Sequence, residues 1–416
     1  MKNDNLKSVV VLFACCLVVA LLLAGVNMVT APIIEQNNQN AQFAALEGLI
    51  PDAQYEEKTG LEGIPETING IFVDKNGGGA AIVFSATSSY SSGPMQYAVG
   101  IDADGKILAI KKIAYMESKD FGSYPESFVG KEYAGIDSVE AFSGVTYSSN
   151  AFKASLKDAF TAYYAAMGGE LKETELDVLN KLVEGLTFKE ISTEAELDEK
   201  ISAVYRADAT TYAYRYTDAD NIYLVVADIF GNVLASATYE GEGTTAPTDF
   251  VADATEEIVA TEILGKVTDK TLEFESVQTE PVSNTVKYEI AYTGEREFTA
   301  TSVAVFKANG EHVVLVEADG YASVANKGEK IILAVGFDTD GKITNTYVVS
   351  HSESDGFGKD KVIENKDYTD KYIGLEEVPD SSNKFIDSEA FATYTYVGYH
   401  NGIRTAYLAY QAVISQ

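Results

Sequence analysis

From Ser8 to Ile34 the chain holds no charged residue and one strongly polar one, Asn27. That run is long enough for a membrane-spanning helix of roughly 20 residues and exceeds the roughly 7 to 15 apolar residues of a signal peptide. Lys2 and Lys7 precede it, which by the positive-inside rule puts the N-terminus in the cytoplasm and everything after the run outside. Cleavage after Val29-Thr30-Ala31 would leave Pro32 first in the mature chain, which signal peptidase tolerates poorly. A lipoprotein site at Cys15 falls too early in an apolar run that continues well past it. Next, Phe43, Leu46, Leu49 and Ile50 recur at helical spacing and Pro51 closes the element, predicting a short amphipathic helix. From Gly70 the pattern alternates as strands do. Ile71–Val73 and Ala80–Ala86 flank a glycine-rich turn, and Gln96–Gly100 and Lys106–Ile110 flank Asp102-Ala-Asp-Gly105, so two hairpins are expected.

The pattern then repeats. Ala98-Val-Gly-Ile-Asp-Ala-Asp-Gly-Lys-Ile107 returns as Ala334-Val-Gly-Phe-Asp-Thr-Asp-Gly-Lys-Ile343, and Glu117-Ser118-x-x-Phe121-Gly122 returns as Glu353-Ser354-x-x-Phe357-Gly358, both at an offset of 236. Asp137–Phe142 resembles Asp387–Phe391 at a shifted spacing. Ordered agreement over several blocks marks a duplicated unit. The expected layout is a cytoplasmic N-terminus and spanning helix (1–34), a linker helix (35–65), a first repeat (66–168), a middle region (169–296) and a second repeat (297–416). The middle region opens with a predicted helix over Glu173–Leu186 and continues rich in strands. Its Tyr223–Val233 echoes Tyr97–Ile107, which reads either as a degenerate third copy or as a generic hairpin. The fold class is α+β with antiparallel sheets.

Composition narrows the chemistry. With 63 acidic against 31 basic residues, the net charge of -32 excludes nucleic-acid binding, which needs basic stripes. Cys15 and Cys16 both lie in the apolar run and can staple nothing beyond it. His312, His351 and His400 are scattered without metal-ligand spacing, so no metal site is expected. Neither a Gly-x-Gly-x-x-Gly turn after a strand nor a phosphate-cradling Walker loop is present.

One stretch stands apart. Ser143-Gly144-Val145-Thr146 precedes an apolar-periodic segment, Ala151–Ala165, so a glycine between hydroxyl residues sits where a helix would aim its free N–H groups and positive dipole end. A phosphate would suit that place, and so would an ordinary Ser/Gly turn capping a helix. Within Glu140–Thr146 the segment resembles the flavinylation motif Asp-x-x-Ser/Thr-Gly-Ala-Thr of the FMN-binding domain in the RnfG and NqrC subunits of ion-translocating respiratory complexes. The resemblance implies that Thr146 carries FMN through a phosphoester bond made by a separate flavin transferase with FAD as donor. Glu140 stands for Asp, Val145 for Ala, and Ser143 and Gly144 match. The Glu117-Ser118 block resembles the family's Glu-Thr-Pro-Gly-Leu-Gly loop against the flavin, with Lys119 and Asp120 in place of Pro and Gly. Ser89–Gly93, with Tyr90, and Asp319-Gly320-Tyr321 resemble its Gly-Tyr loop. Thr30–Ile34 is similar to the family's N-terminus.

These likenesses imply a membrane-anchored electron carrier with tandem FMN-binding domains. It would serve as the RnfG-like subunit of a ferredoxin:NAD oxidoreductase complex that moves Na⁺ or H⁺, with the other membrane subunits as partners. Two alternatives stand beside it: a free-standing flavinylated surface protein that passes electrons outward, and a non-redox binding module that has lost its flavin. Thr146 is a tether with no catalytic part in turnover, and Lys153, in the first half of the following helix, either assists the phosphate or is merely solvated. In the second repeat the motif reads Ala392-Thr393-Tyr394-Thr395, with Thr395 taken as the counterpart of Thr146 and Thr393 in the glycine's place. A β-branched residue resists the turn that glycine allows, so no covalent flavin is expected there, while Gly356-Phe357-Gly358 leaves open a second, non-covalent FMN.

Overall fold

The computed structural model describes residues 44–416 except 89–92, 117–119, 121, 143–144, 269–272, 278, 291–292, 327–328, 355, 381–391 and 416. It also describes scattered positions between 13 and 30, and only the backbone at 146, 147 and 326. The predicted spanning helix therefore falls largely outside the described residues. The described positions from Phe13 to Thr30 are helical, with Phe13, Leu17, Leu21, Leu23 and Met28 exposed. Among the described residues no helix is long and apolar enough to cross a membrane. The chain forms two compact units, Met1–Lys172 and Glu173–Gln416.

The first unit is an antiparallel sheet in sequence order: β1 (Tyr55–Glu57), β2 (Ile68–Asp74), β3 (Gly79–Ala86), β4 (Met95–Asp102) and β5 (Ile107–Ala114). Both predicted hairpins are present as β2–β3 and β4–β5. The central strands are apolar on both faces, so each face needs a cover. Ile82, Phe84, Tyr97 and Val99 face the long helix α1 (Thr146–Met167), where Phe152, Leu156, Ala159, Phe160 and Tyr163 recur at helical spacing. The Phe152 ring lies 4.9 Å from Tyr97 and 5.6 Å from both Phe84 and Phe128. Truncating an aromatic side chain so buried costs about 3–5 kcal/mol. Gly168, with φ of 76°, ends α1 in the left-handed conformation. The opposite face, with Phe72, Ala81, Val83 and Ala98, is covered by Ala45, Leu46 and Leu49 of the short helix at 44–46 and the turn after it.

The second unit holds two more sheets. The helix α2 (Glu175–Leu182), which starts at a Thr174/Asp177 capping box, is shorter than the predicted Glu173–Leu186. The middle sheet follows as β6 (Lys189–Ile191), β7 (Ile201–Arg206), β8 (Thr211–Asp218), β9 (Asn221–Asp228) and β10 (Val233–Glu240), again in sequence order. After α3 (Val251–Val259), which runs on as helical turns to Val267, come β11 (Glu275–Val277), β12 (Ser283–Ile290), β13 (Gly294–Ala308), β14 (Glu311–Ala318), α4 (Tyr321–Asn326), β15 (Ile331–Phe337), β16 (Ile343–Ser350) and the long helix α5 (Thr393–Ile414). The last sheet thus takes in β11 and β12, ahead of residue 297.

The middle sheet repeats the strand order of the first, as a third copy would. Three hairpins share one hydrogen-bond scheme: Asp102 Oδ1 accepts the N–H of Asp104 (3.0 Å) and Lys106 (2.9 Å), Asp228 Oδ1 those of Phe230 (2.9 Å) and Asn232 (2.8 Å), and Asp338 Oδ1 those of Asp340 (2.9 Å) and Lys342 (2.8 Å). Each turn needs a glycine at positive φ, Gly105 (83°), Gly231 (78°) and Gly341 (82°). Where α1 and α5 cover sheets one and three, Tyr212, Tyr214, Tyr223 and Val225 of the middle sheet pack on α3 instead, and α3 also lies under Val313, Leu315 and Ala334 of the last sheet.

Two glycines at the repeat offset let a helix end approach the sheet closely. A Cβ on Gly100 would lie 2.6 Å from the Leu49 carbonyl oxygen, and one on Gly336 would lie 2.7 Å from that of Val267 and 2.5 Å from Thr344 Oγ1. Backbone cannot move aside as a flexible side-chain tip can. Gly336→Ala is expected to destabilise the second unit by about 1–3 kcal/mol, read as a lower denaturation midpoint, whereas Gly374→Ala, at an open turn, should act only through its φ of 80°. An unchanged midpoint in Gly336→Ala would contradict the close approach.

Candidate functional site

Three segments meet at one end of the first sheet: the loop between β3 and β4, the loop after β5, and the first turn of α1. Ser148 Oγ donates to Ser88 Oγ at 3.4 Å, tying the first loop to the helix. A side chain on Gly93 would run into the Met116 sulfur, so the first loop also touches the second. Tyr90, Glu117, Ser118, Ser143 and Gly144 lie outside the described residues, between neighbours whose places are described. Thr146 opens α1, and only its backbone is described.

The turn before Thr146 is stapled to the helix. Val145 N–H donates to the Phe142 carbonyl (3.1 Å), Phe142 N–H to Ser149 Oγ (3.1 Å), and Ser149 Oγ–H back to the Val145 carbonyl (3.1 Å). Ser149 is thus a site-shaping residue that the motif does not mark, although its place three residues after Thr146 puts it in the first turn. Beneath the turn, Tyr124 stacks edge-on against Phe142 at 6.0 Å, and burial pushes its phenol up to about 12. No side chain caps α1 at Val145, whose carbonyl accepts the Ser149 N–H at 3.0 Å. Lys153 Nζ donates to the Val139 carbonyl at 2.8 Å. Asp120, where the family loop has glycine, accepts Gly122 N–H (2.9 Å) and Lys112 Nζ (3.0 Å); Lys112 first and that amide second hold its carboxyl below the usual range.

In the second repeat the same blocks converge, with more of them described. Glu353, the counterpart of Glu117, is 6 % exposed. Its carboxylate accepts Ala322 N–H at 3.1 Å and the Thr395 hydroxyl. Gly320 and Gly358 close on it from two sides; a Cβ on Gly358 would lie 2.7 Å from Glu353 Oε2. The two long helices also correct the repeat register. Each has 22 residues, one opening at Thr146 and the other at Thr393, so Thr393 is the counterpart of Thr146 and Thr395 that of Ser148. Buried positions agree: Phe152 with Tyr399, Leu156 with Ile403, Ala159 with Ala406 and Tyr163 with Tyr410. In that register Asp387-x-x-Ala390-Phe391-Ala392-Thr393 keeps the motif's acid and its Ala-Thr and loses its Ser-Gly. The assignment of Thr395 follows from aligning Phe142 with Phe391, an offset of 391 − 142 = 249, whereas the helices align at 393 − 146 = 247.

Known families match along these lines. The FMN-binding domain matches residues 91–161 and again 326–408, and the RnfG N-terminal region matches residues 1–49. The chain is an RnfG-like protein with a duplicated FMN-binding domain. Both copies of the family's domain run from the loop before β4 or β15 into the long helix, and they enclose Thr146 and Thr393. No curated protein matches the chain. It is an FMN-binding electron carrier of the Rnf/Nqr type, and FMN is its cofactor. The middle sheet, which has no helix of the α1 kind, lies outside both matches.

Burial is the largest influence on Glu353 and raises its carboxyl above the ordinary 4.5, against the lowering effect of Thr395 and the Ala322 and Tyr321 amides. The folded state therefore holds this proton more tightly than the unfolded chain. Its contribution to stability is present in full below the unfolded value and is lost as pH rises through the raised one. Glu353→Gln should therefore gain in melting midpoint relative to the unaltered protein between about pH 4 and pH 7. A difference that does not change with pH would contradict the buried carboxyl.

Proposed function

We propose that the chain is a membrane-anchored electron carrier whose FMN is attached covalently to Thr146, working as the RnfG-like subunit of a ferredoxin:NAD oxidoreductase complex. The observation that carries the assignment is the place of Thr146. It opens a helix packed along one face against the sheet, and Ser148 in its first turn is tied to Ser88 in the loop after β3. Bound FMN supplies the redox chemistry at its isoalloxazine ring. Thr146 Oγ would hold the phosphate, the first-turn N–H groups and the helix dipole would favour its remaining negative charge, and Ser149 would keep the turn in place. In the motif Ser143 and Gly144 precede the tether, while Glu117, Ser118 and Tyr90 would line the ring side. A flavin transferase is required for loading, because the motif contains no base to activate the hydroxyl.

In this reading residues 1–34 anchor the protein, 66–168 carry the flavin and 297–416 are its sister module. The apolar run, with its exposed described side chains, supports the anchor, and the RnfG match supports a place beside the complex's other membrane subunits. A free-standing carrier that passes electrons outward is the second reading, favoured by the duplication. In the second repeat the carboxylate of Glu353 and the hydroxyl of Thr395 satisfy each other, which favours a structural role for that copy.

Co-produced with a flavin transferase, the protein is expected to give a fluorescent band after denaturation and one covalent FMN by intact mass. Thr146→Ala should abolish both, whereas Thr393→Ala should leave both. An undiminished band in Thr146→Ala would overturn the assignment. For topology, protease added to intact spheroplasts should digest the part beyond about residue 35, because Lys2 and Lys7 hold the N-terminus inside. Protection until lysis would reject that orientation.

A further inference from the structure

The three sheets differ at one edge. In the first repeat the leading residue of the last strand, Ile107, is 1 % exposed and paired on its outer side: its N–H donates to the Lys131 carbonyl (2.9 Å) and its carbonyl accepts Gly130 N–H (2.7 Å). Ile343 in the second repeat is likewise 1 % exposed, donating to Leu375 (3.0 Å) and accepting from Gly374 (2.7 Å). Both covering segments read aromatic, β-branched, glycine: Phe128-Val129-Gly130 and Tyr372-Ile373-Gly374. Val233 holds the same place in the middle sheet, since Val233 pairs with Ala227 as Ile107 pairs with Ile101 and Ile343 with Phe337. No segment covers it among the described residues. The chain passes from β10 to α3 in ten residues (241–250), where the sister repeats spend 31 (115–145) and 42 (351–392). Val233 is 41 % exposed, with Leu234 at 51 % and Phe230 at 43 % beside it.

We propose that this open edge of β10 is a docking site for an extended, cationic, glycine-containing segment of a partner protein, which takes the place that the Gly130 and Gly374 segments fill in the sister repeats. Those segments define the mode: one backbone N–H and one carbonyl exchanged with Val233, and an apolar side chain laid over Phe230, Val233 and Leu234. The charge of the occupant follows from its surroundings. From Tyr216 to Gly265, through β9, β10 and α3, the chain carries ten Asp or Glu and no Lys or Arg. An uncovered strand edge with apolar residues is an aggregation hazard unless something pairs with it, and β10 bears no charge before Glu240. The proposal does not depend on where FMN is attached.

The test uses the full chain in detergent and a labelled peptide, Ser-Phe-Val-Gly-Lys-Lys-Tyr-Ala, which is residues 127–134 with lysine in place of Glu132. Saturable, salt-sensitive binding in fluorescence anisotropy is expected, with slowed amide exchange at 233–236. Replacing the peptide glycine by N-methylglycine removes its N–H donor without touching the protein and should weaken binding roughly tenfold. Val233→Lys should do at least as much. No binding, equal binding of the N-methylated peptide, or protection elsewhere in the chain would overturn the proposal. So would a dimer, present without peptide and lost in Val233→Lys, which would make a second copy the occupant.

Discussion

A sheet that is apolar on both faces must be covered twice, and this requirement shapes the whole molecule. β15 is buried at all seven of its positions and β3 at seven of eight, so neither sheet can turn a face to water. The first sheet is covered by α1 on one side and by the helix at 44–46 on the other; the last is covered by α5 and α3. Once α1 is held along its length by Phe152, Leu156, Phe160 and Tyr163, its first residue has one place to be. Thr146 is thereby carried to the sheet end where the loops after β3 and β5 emerge. The geometry of the site is a by-product of covering the sheet.

That link between core and site explains which parts were legible in the residues. The strands around Asp102–Gly105 and Asp338–Gly341 could be read because alternation and an Asp-x-x-Gly turn are local signals. The flavin motif could be read because Ser143-Gly144-x-Thr146 abuts a periodic helix. Thr395 is out of register because the likeness of Asp137–Phe142 to Asp387–Phe391 aligns Phe142 with Phe391, two residues off; the buried faces of the two helices restore the register. Ser149 and the Glu353–Thr395 contact depend on tertiary approach, which no spacing encodes. Gly320 and Gly358 show the same limit, since they close on a carboxylate 33 and 5 positions away in the chain.

The middle sheet keeps the hairpin of the two repeats without the long helix that follows it there. Asp228 and Gly231 preserve a turn whose hydrogen bonds are all local, so that part survives without its neighbours. The long loop and helix that follow the last strand in the two repeats have no counterpart between β10 and α3. In their place the helical stretch from Val251 to Val267 shares one core with the middle and last sheets. A substitution there is therefore felt in both sheets.

The close approach of Leu49 to Gly100 has a mechanical side. It fixes the chain to the first sheet from about residue 44, with 13 residues between that point and Thr30, the last described position of the apolar run. Thirteen residues, however arranged, span at most roughly 45 Å. If the apolar run is the anchor proposed above, the first unit is confined to a small volume around its attachment and exchanges electrons only with what is fixed nearby.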